Sequence, residues 1–402
     1  SFGFGMNKLT IRNFGPIKSV TIDLKKFTVI IGPQSSGKSC ILKIASFCKW
    51  LEKRIELSQN PDKYLSMEVI GAELLQFHKL NGFQKSNTFI KYESQFMAFS
   101  IVFDEIGKTT FDFQWKRNRW RYKRPAIAYI PAERNIVAAI PNWFDVKLVH
   151  NNIRNYMSDW EEARQLFSKS NSLPILDLDT SYYFNLMEST DKIIVDKQGH
   201  TIDFTNASSG LQSIVPLYVL ISYLSDKSTY QAGVSSVAND KEHEKLKLMI
   251  ERSMDVPKSL STYEIIENLS RTQHTEIYLE EPEENIFPKT QYQLVKWLVQ
   301  MMDVSVDNSI SMTTHSPYIL SSLNNLIQAA DAISKDFRNA DVIRDNILGS
   351  DAFIGFDNIS VYAMIDGRVK TIKDEELRLI SQSALDSASD DISEDFSKLL
   401  EL

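Results

Sequence analysis

Residues 32–39 read Gly-Pro-Gln-Ser-Ser-Gly-Lys-Ser, a G-x-x-x-x-G-K-[ST] loop between a wholly apolar run, Phe27 to Ile31, and a helical pattern from about Lys38 to Glu56. This order leaves few folds open, because it asks for a strand buried on both faces, a tight loop and a helix that begins at the lysine. In such a loop the backbone N–H groups wrap phosphates, the lysine reaches the β and γ oxygens, and the serine hydroxyl ligates Mg²⁺. The expected nucleotide-binding residues are therefore Gly32, Pro33, Gln34, Ser35, Ser36, Gly37, Lys38, Ser39 and Cys40, with Ser39 also on the metal. Glycine is needed where a Cβ would collide with the bound phosphate.

The rest of the chain alternates in kind. Leu9–Ile11, Ser19–Leu24 and Phe27–Ile31 read as three successive strands, and 88–130 reads as β-rich, with a hairpin whose turn is Lys116 to Arg119. Residues 136–190 read as mostly helical, 211–225 as an apolar helix, and 226–262 as a polar helical insertion with a loop around Ala232 to Asp240. Strand patterns return at Ile277–Leu279 and Ser309–Thr313, then in a hairpin over 359–372 that turns at Asp366-Gly367. From Asp374 the tail reads as a pair of acidic amphipathic helices. The expectation is an α/β fold: a mostly parallel core sheet, an antiparallel β lobe and a helical subdomain. Its parts would be an N-terminal lobe over 6–135, a helical insertion over 136–200 and a C-terminal lobe over 201–402, with Ser1 to Gly5 before Met6 read as a tag remnant.

Composition narrows the setting. With 402 residues, 43% hydrophobic and 24% charged, the chain can bury a large core. A net charge of −7 argues against binding polyanions by bulk charge. The two cysteines, Cys40 and Cys48, fall on one expected helix in poor geometry for a disulfide, which fits a reducing cytoplasm. No apolar run is long enough to span a membrane, so no membrane partner is expected.

A phosphate loop alone does not choose a reaction. Ile277-Tyr278-Leu279-Glu280-Glu281-Pro282-Glu283 is an apolar strand ending in adjacent carboxylates. Successive side chains on a strand point opposite ways, so Glu280 is expected to hold Mg²⁺ while Glu281 faces the γ-phosphate and polarises the attacking water. Glu283 and Glu284, beyond the proline, read as solvated surface charges. The next strand run, Ser309 to Thr314, ends at His315-Ser316-Pro317, where a histidine can donate to the γ-phosphate and sense its presence. The expected catalytic set is Lys38, Glu281 and His315.

These pieces together resemble the ABC superfamily of ATPases, and most closely its soluble SMC/Rad50/RecF branch, whose opening strand and Asn-Phe turn are similar to Leu9-Thr10-Ile11-Arg12-Asn13-Phe14. The resemblance implies ATP and Mg²⁺ as cofactors and brings Arg12 and Asn13 toward the nucleotide. Glu280-Glu281-Pro282-Glu283, Thr314-His315-Ser316-Pro317 and Tyr129-Ile130-Pro131-Ala132-Glu133-Arg134 resemble the OLD and AAA15-type ATPases of bacterial anti-phage systems. No Toprim nuclease pattern follows Pro317, and no coiled-coil arm is present. By the same resemblance, Ser208, Ser209 and Gly210 would be the signature that caps ATP held by a second protomer, although the usual Leu-Ser-Gly-Gly-Gln is not reproduced.

The implied function is an ATP-hydrolysing switch that dimerises around ATP and controls an effector protein or a nucleic acid in anti-phage defence. The alternatives are a RecF-like repair ATPase, a non-hydrolysing scaffold that recruits a nuclease, or the ATPase subunit of a transporter. The basic aromatic stretch from Trp115 to Arg124 adds a candidate nucleic-acid contact through Lys116, Arg117, Arg119 and Arg121, against the plainer reading of a hairpin with solvated charges.

Overall fold

The computed structural model describes residues 7–106, 108–140, 149–195, 197–226, 237–381 and 398–399. The opening strands form as the apolar pattern requires, β1 (Asn7–Phe14), β2 (Ile17–Leu24) and the fully buried β3 (Phe27–Ile31), and α1 (Lys38–Ser58) follows the phosphate loop. Three further strands, β4 (Gln84–Glu93), β5 (Met97–Phe103) and β6 (Thr109–Trp115), extend the antiparallel side, and β7 (Pro125–Ile130) returns to the core.

Next come α2 (Asn152–Arg164) and a small antiparallel sheet of β8 (Leu173–Pro174), β9 (Ser181–Asn185), β10 (Thr190–Ile194) and β11 (Thr201–Asp203). The chain then forms α3 (Ser209–Ser225), α4 (Val237–Arg252), α5 (Thr262–Ser270), β12 (His274–Glu280), α6 (Pro288–Asp303), β13 (Ser309–Thr314) and α7 (Pro317–Lys335). The hairpin β14 (Ile359–Ile365) and β15 (Arg368–Thr371) turns at Asp366-Gly367 as expected.

One sheet of eleven strands runs in the order β6-β5-β4-β1-β2-β15-β14-β3-β13-β12-β7. Its core, β14-β3-β13-β12-β7, is parallel, and β1, β2, β4, β5 and β6 form the antiparallel lobe of the same sheet. Alternation along each strand sends side chains to two cores. Phe27, Val29 and Ile31 face the core shared with α3, α6 and α7, while Ile30 faces the one shared with α1. Tyr278 likewise parts from its neighbours Ile277 and Leu279. The α1 helix thus lies on one face of the sheet and the later helices on the other, with the phosphate loop at the end of a central strand.

Four sequence expectations need correction. Residues 136–200 are not a helical insertion. They hold the short helix Ile136–Ala139, α2, and then most of the four-stranded sheet, because Tyr182-Tyr183-Phe184 and Ile193-Ile194 are aromatic and β-branched residues that pair across a turn at 185–190. Lys116 to Arg119 does not turn a hairpin: Arg119–Arg121 is a single helical turn, and Trp120 and Tyr122 leave the sheet to pack against α4 and α5. The loop placed at 232–240 is already helix from Val237, and 232–236 lies outside the described residues. Lys373-Asp374 pairs with Leu379-Ile380 as a hairpin where the tail helices were expected to begin, and nearly all of the remaining tail lies outside the described residues. No helix among the described residues is long and apolar enough to cross a membrane.

Candidate functional site

Gly32 and Gly37 have φ of +154° and +104°, and a Cβ on Gly32 would stand 2.8 Å from the Met364 Cβ, so both positions require glycine. The α1 helix starts directly from Gly37 with no side chain capping its first N–H groups. Those groups carry the positive end of the helix dipole and are available to an anion. A cavity of about 540 Å³ opens there, lined by the loop residues from Gln34 to Cys40 and by Glu281.

Lys38 is buried, and its ammonium folds back to donate to the Gly32 carbonyl at 2.6 Å and the Pro33 carbonyl at 2.7 Å. Burial holds its pKa below the usual lysine range, with Glu281 and Glu283 pulling the other way. The Ser36 hydroxyl is buried with no hydrogen-bond partner among the described residues. Burial pushes the Cys40 thiol up to about 12, so it is no nucleophile.

The two carboxylates separate as strand geometry predicts. Glu281 lines the cavity, whereas Glu280 turns to the other side, where its Oε1 accepts from the Tyr129 hydroxyl at 2.5 Å and its Oε2 from the Ala132 N–H at 2.9 Å. Glu280 thus anchors the 129–132 segment. Glu281 adopts a left-handed backbone, φ +42°, uncommon for a residue with a Cβ and often found where function requires it. Three hydrogen bonds hold it there: its N–H donates to the Thr313 carbonyl at 3.0 Å, and its own carbonyl accepts from Arg134 at 2.8 Å and from the Glu284 N–H at 3.1 Å.

His315, about half exposed, has its Nδ1 3.6 Å from the Glu281 Oε1 and 3.6 Å from the Glu283 Oε1. Glu283 is not a solvated surface charge. It is 7% exposed, and its Oε1 accepts from both the Thr314 hydroxyl and the His315 N–H at 2.8 Å. The turn after Pro282 folds back under β13, so this carboxylate faces inward and carries the loop on which His315 sits. Glu284 is also drawn inward, with its carboxylate 3.7 Å from Arg134 and its pKa raised by burial.

Arg134, 0% exposed, donates to the carbonyls of Ser213, Glu280 and Glu281, which ties α3 to the end of β12. The sequence singled out the Tyr129–Arg134 segment but not this role. Lys43 and Lys79, two further cations at the cavity, gave no signal beyond ordinary surface lysines.

Arg12 and Asn13 do not line the cavity. The Arg12 guanidinium lies over the Phe89 ring and the Asn13 amide donates to the Asn87 carbonyl, while Pro16 from the same turn reaches the cavity wall. Ser208 caps α3 by accepting from the Leu211 N–H, and Ser209 is the first residue of that helix. Ser208 and Gly210 face a different pocket, walled by Leu178 and Phe287, so none of the signature-like residues meets the phosphate loop of its own chain. The basic stretch is tied into local packing. Lys116 lies 4.0 Å from Glu93, Arg119 pairs with Asp255 between the rings of Trp115 and Trp120, Arg121 donates to Ser259, and Arg117 is exposed.

Residues 6–49 match the family model of the AAA ATPase domain. No curated protein matches the chain in sequence. Among solved structures, the SMC head domain from Thermotoga maritima is 10% identical, covering 92% of this chain and 99% of that one, with a TM-score of 0.39. The SMC head bound to the C-terminal winged-helix domain of ScpA is 10% identical over 92% and 98%, with a TM-score of 0.41. The recombination mediator protein RecF is 9% identical over 91% and 98%, with a TM-score of 0.30. These likenesses are remote enough that the chemistry of the cavity has to be argued from its own residues.

Proposed function

We propose that the chain is an ATPase of the ABC type, which closes on ATP as a pair of protomers and reopens on hydrolysis. The observation that carries this reading is the convergence of Lys38, Ser39 and the strained Glu281 on one cavity at an uncapped helix start, with His315 beside Glu281. In this reading the loop N–H groups and Lys38 hold the triphosphate, and Lys38 exchanges its loop carbonyls for phosphate oxygens. Glu281 orients a water and takes its proton as the water oxygen bonds the γ-phosphorus and the bridge to ADP breaks. His315 donates to the γ-phosphoryl oxygens.

No group of three or more His, Cys, Asp or Glu side chains suited to a metal occurs among the described residues, which fits a cation that arrives with the nucleotide and keeps its waters. Ser39 would hold Mg²⁺, with the unused lone pairs of Glu280 behind it. When bound, Mg²⁺ neutralises charge developing on the phosphate oxygens.

The separation of Ser208 and Gly210 from the phosphate loop supports a second copy as the source of the closing surface. An effector protein or nucleic acid would read the closure, and the resemblance to anti-phage ATPases favours defence as the setting.

Glu281→Gln should lower ATP turnover by about 100-fold or more and, with ATP and Mg²⁺, should double the mass in solution. Lys38→Ala should stay at the smaller mass. Undiminished turnover in Glu281→Gln would remove Glu281 from the chemistry, and a mass indifferent to nucleotide in both variants would remove the two-protomer switch.

A further inference from the structure

A second cavity of about 540 Å³ lies far along α1 from the phosphate loop, at the opposite end of that helix. Arg54 and Ser58 come from the last turns of α1, Lys63 follows it, Arg124 immediately precedes β7, and Lys245 projects from α4. Four cations from four separate segments therefore face one space, and no acidic residue is among the described residues lining it. The Arg54 guanidinium lies over the Trp50 ring at 5.4 Å and the Lys63 ammonium over the Tyr64 ring at 5.3 Å, so ring faces hold these two cations, and no salt bridge to either is formed among the described residues. Lys53, next to Arg54, is held down to about 8, chiefly by burial and then by the charges of Arg124 and Arg54.

The remaining wall has a different character. Leu57, Leu246, Met249 and Leu269 make an apolar side, and Tyr64 adds a ring. A space with several cations on one side and an apolar, aromatic surface on the other suits a molecule with a phosphate at one end and a planar or apolar body at the other. Its volume is that of a small-molecule site, and the acidic balance of the whole chain, net −7, works against a long polyanion.

We propose that this cavity binds a small phosphorylated ligand of about mononucleotide size, at a site separate from the phosphate loop. Its two natural sources are a nucleotide, held by ring and phosphate together, and an inorganic polyphosphate, held by charge alone.

Full-length protein carrying Lys38→Ala would be titrated calorimetrically with AMP and, separately, with pyrophosphate, and then again with Lys63→Glu or Lys245→Glu added. ATP affinity in the Lys38-intact background would be read in parallel to show that the charge reversals spare the phosphate loop. Binding of one equivalent of either probe, weakened about tenfold or more by each reversal, is the expected result, and AMP binding tighter than pyrophosphate assigns the nucleotide source. No binding of either probe, or binding that ignores both reversals, overturns the proposal. A short single-stranded oligonucleotide that binds through Lys63 and Lys245 while both small probes fail would overturn it too, in favour of a nucleic-acid track.

Discussion

Two donors converge on a single oxygen of the buried Glu283, the Thr314 hydroxyl and the His315 N–H, each at 2.8 Å. An alanine in its place removes the acceptor from both donors, whereas a glutamine keeps an acceptor in position and loses only the charge. Glu283→Ala should therefore cost about 2–3 kcal/mol of unfolding free energy and Glu283→Gln about 1 kcal/mol or less, measured by urea denaturation. The alanine variant should also turn over ATP more slowly than the glutamine variant, because His315 rides on the loop that Glu283 holds. Equal stability of the alanine variant and the parent would mean that water takes over both donors. Identity alone could not place Glu283. A third acid after a proline looks like surface charge until the strand that lies over it is known.

Among the elements, Arg134 joins parts that are far apart in sequence, the segment after β7, the end of β12 and the start of α3. The carbonyls it satisfies include that of Glu281, whose left-handed backbone needs support. Arg134→Met should cost about 3 kcal/mol or more through the loss of three hydrogen bonds from a buried guanidinium, and Arg134→Lys should recover only part of this, since an ammonium lacks the fork. If chemical denaturation finds the methionine variant as stable as the parent, the clamp is dispensable.

At this scale the elements around the phosphate loop were legible from residues alone: β3, α1, α3, β12, β13 and the 359–371 hairpin all form where periodicity and turn chemistry put them. The small sheet was not, because its strands are two to five residues long and too short to show a period. Trp120 and Tyr122 misled for another reason. Their alternation continues that of β6, yet burial against α4 and α5, distant in sequence, outweighs strand pairing. Of the candidate site, the loop, Lys38 and Glu281 were readable, while Arg134, Glu283 and Lys79 depend on long-range packing that local pattern does not carry.

For the molecule as a whole, stability should depend on acid through His78. Its ring is buried beside Phe77 and Tyr129, and burial, with Lys43 nearby, lowers its pKa to about 3. The unfolded chain takes up a proton near pH 6.5, which the folded one refuses until about pH 3. Stability from this group is thus complete above the unfolded value and is lost as pH falls through that window. The loss should reach about 2 kcal/mol by pH 5, and His78→Phe should flatten that portion of the curve in denaturant titrations run at pH 7 and pH 5. A curve of unchanged slope would place the acid sensitivity elsewhere.

The strand order also bears on how the chain is made. β3 ends at Ile31, yet its two hydrogen-bonded neighbours are β13, from Ser309, and β14, from Ile359. β1 and β2 can zip together soon after they leave the ribosome, and so can β4, β5 and β6, since these pairs are close by in sequence, with β4 then joining β1. The fully buried β3, apolar but for Thr28, has to wait for some 280 further residues, on the order of tens of seconds at ordinary elongation rates. Through that interval the nascent protein carries an unpaired, mostly apolar strand next to its future phosphate loop, so its yield in the cell should be set by how well chaperones shield that one segment until β13 has been made.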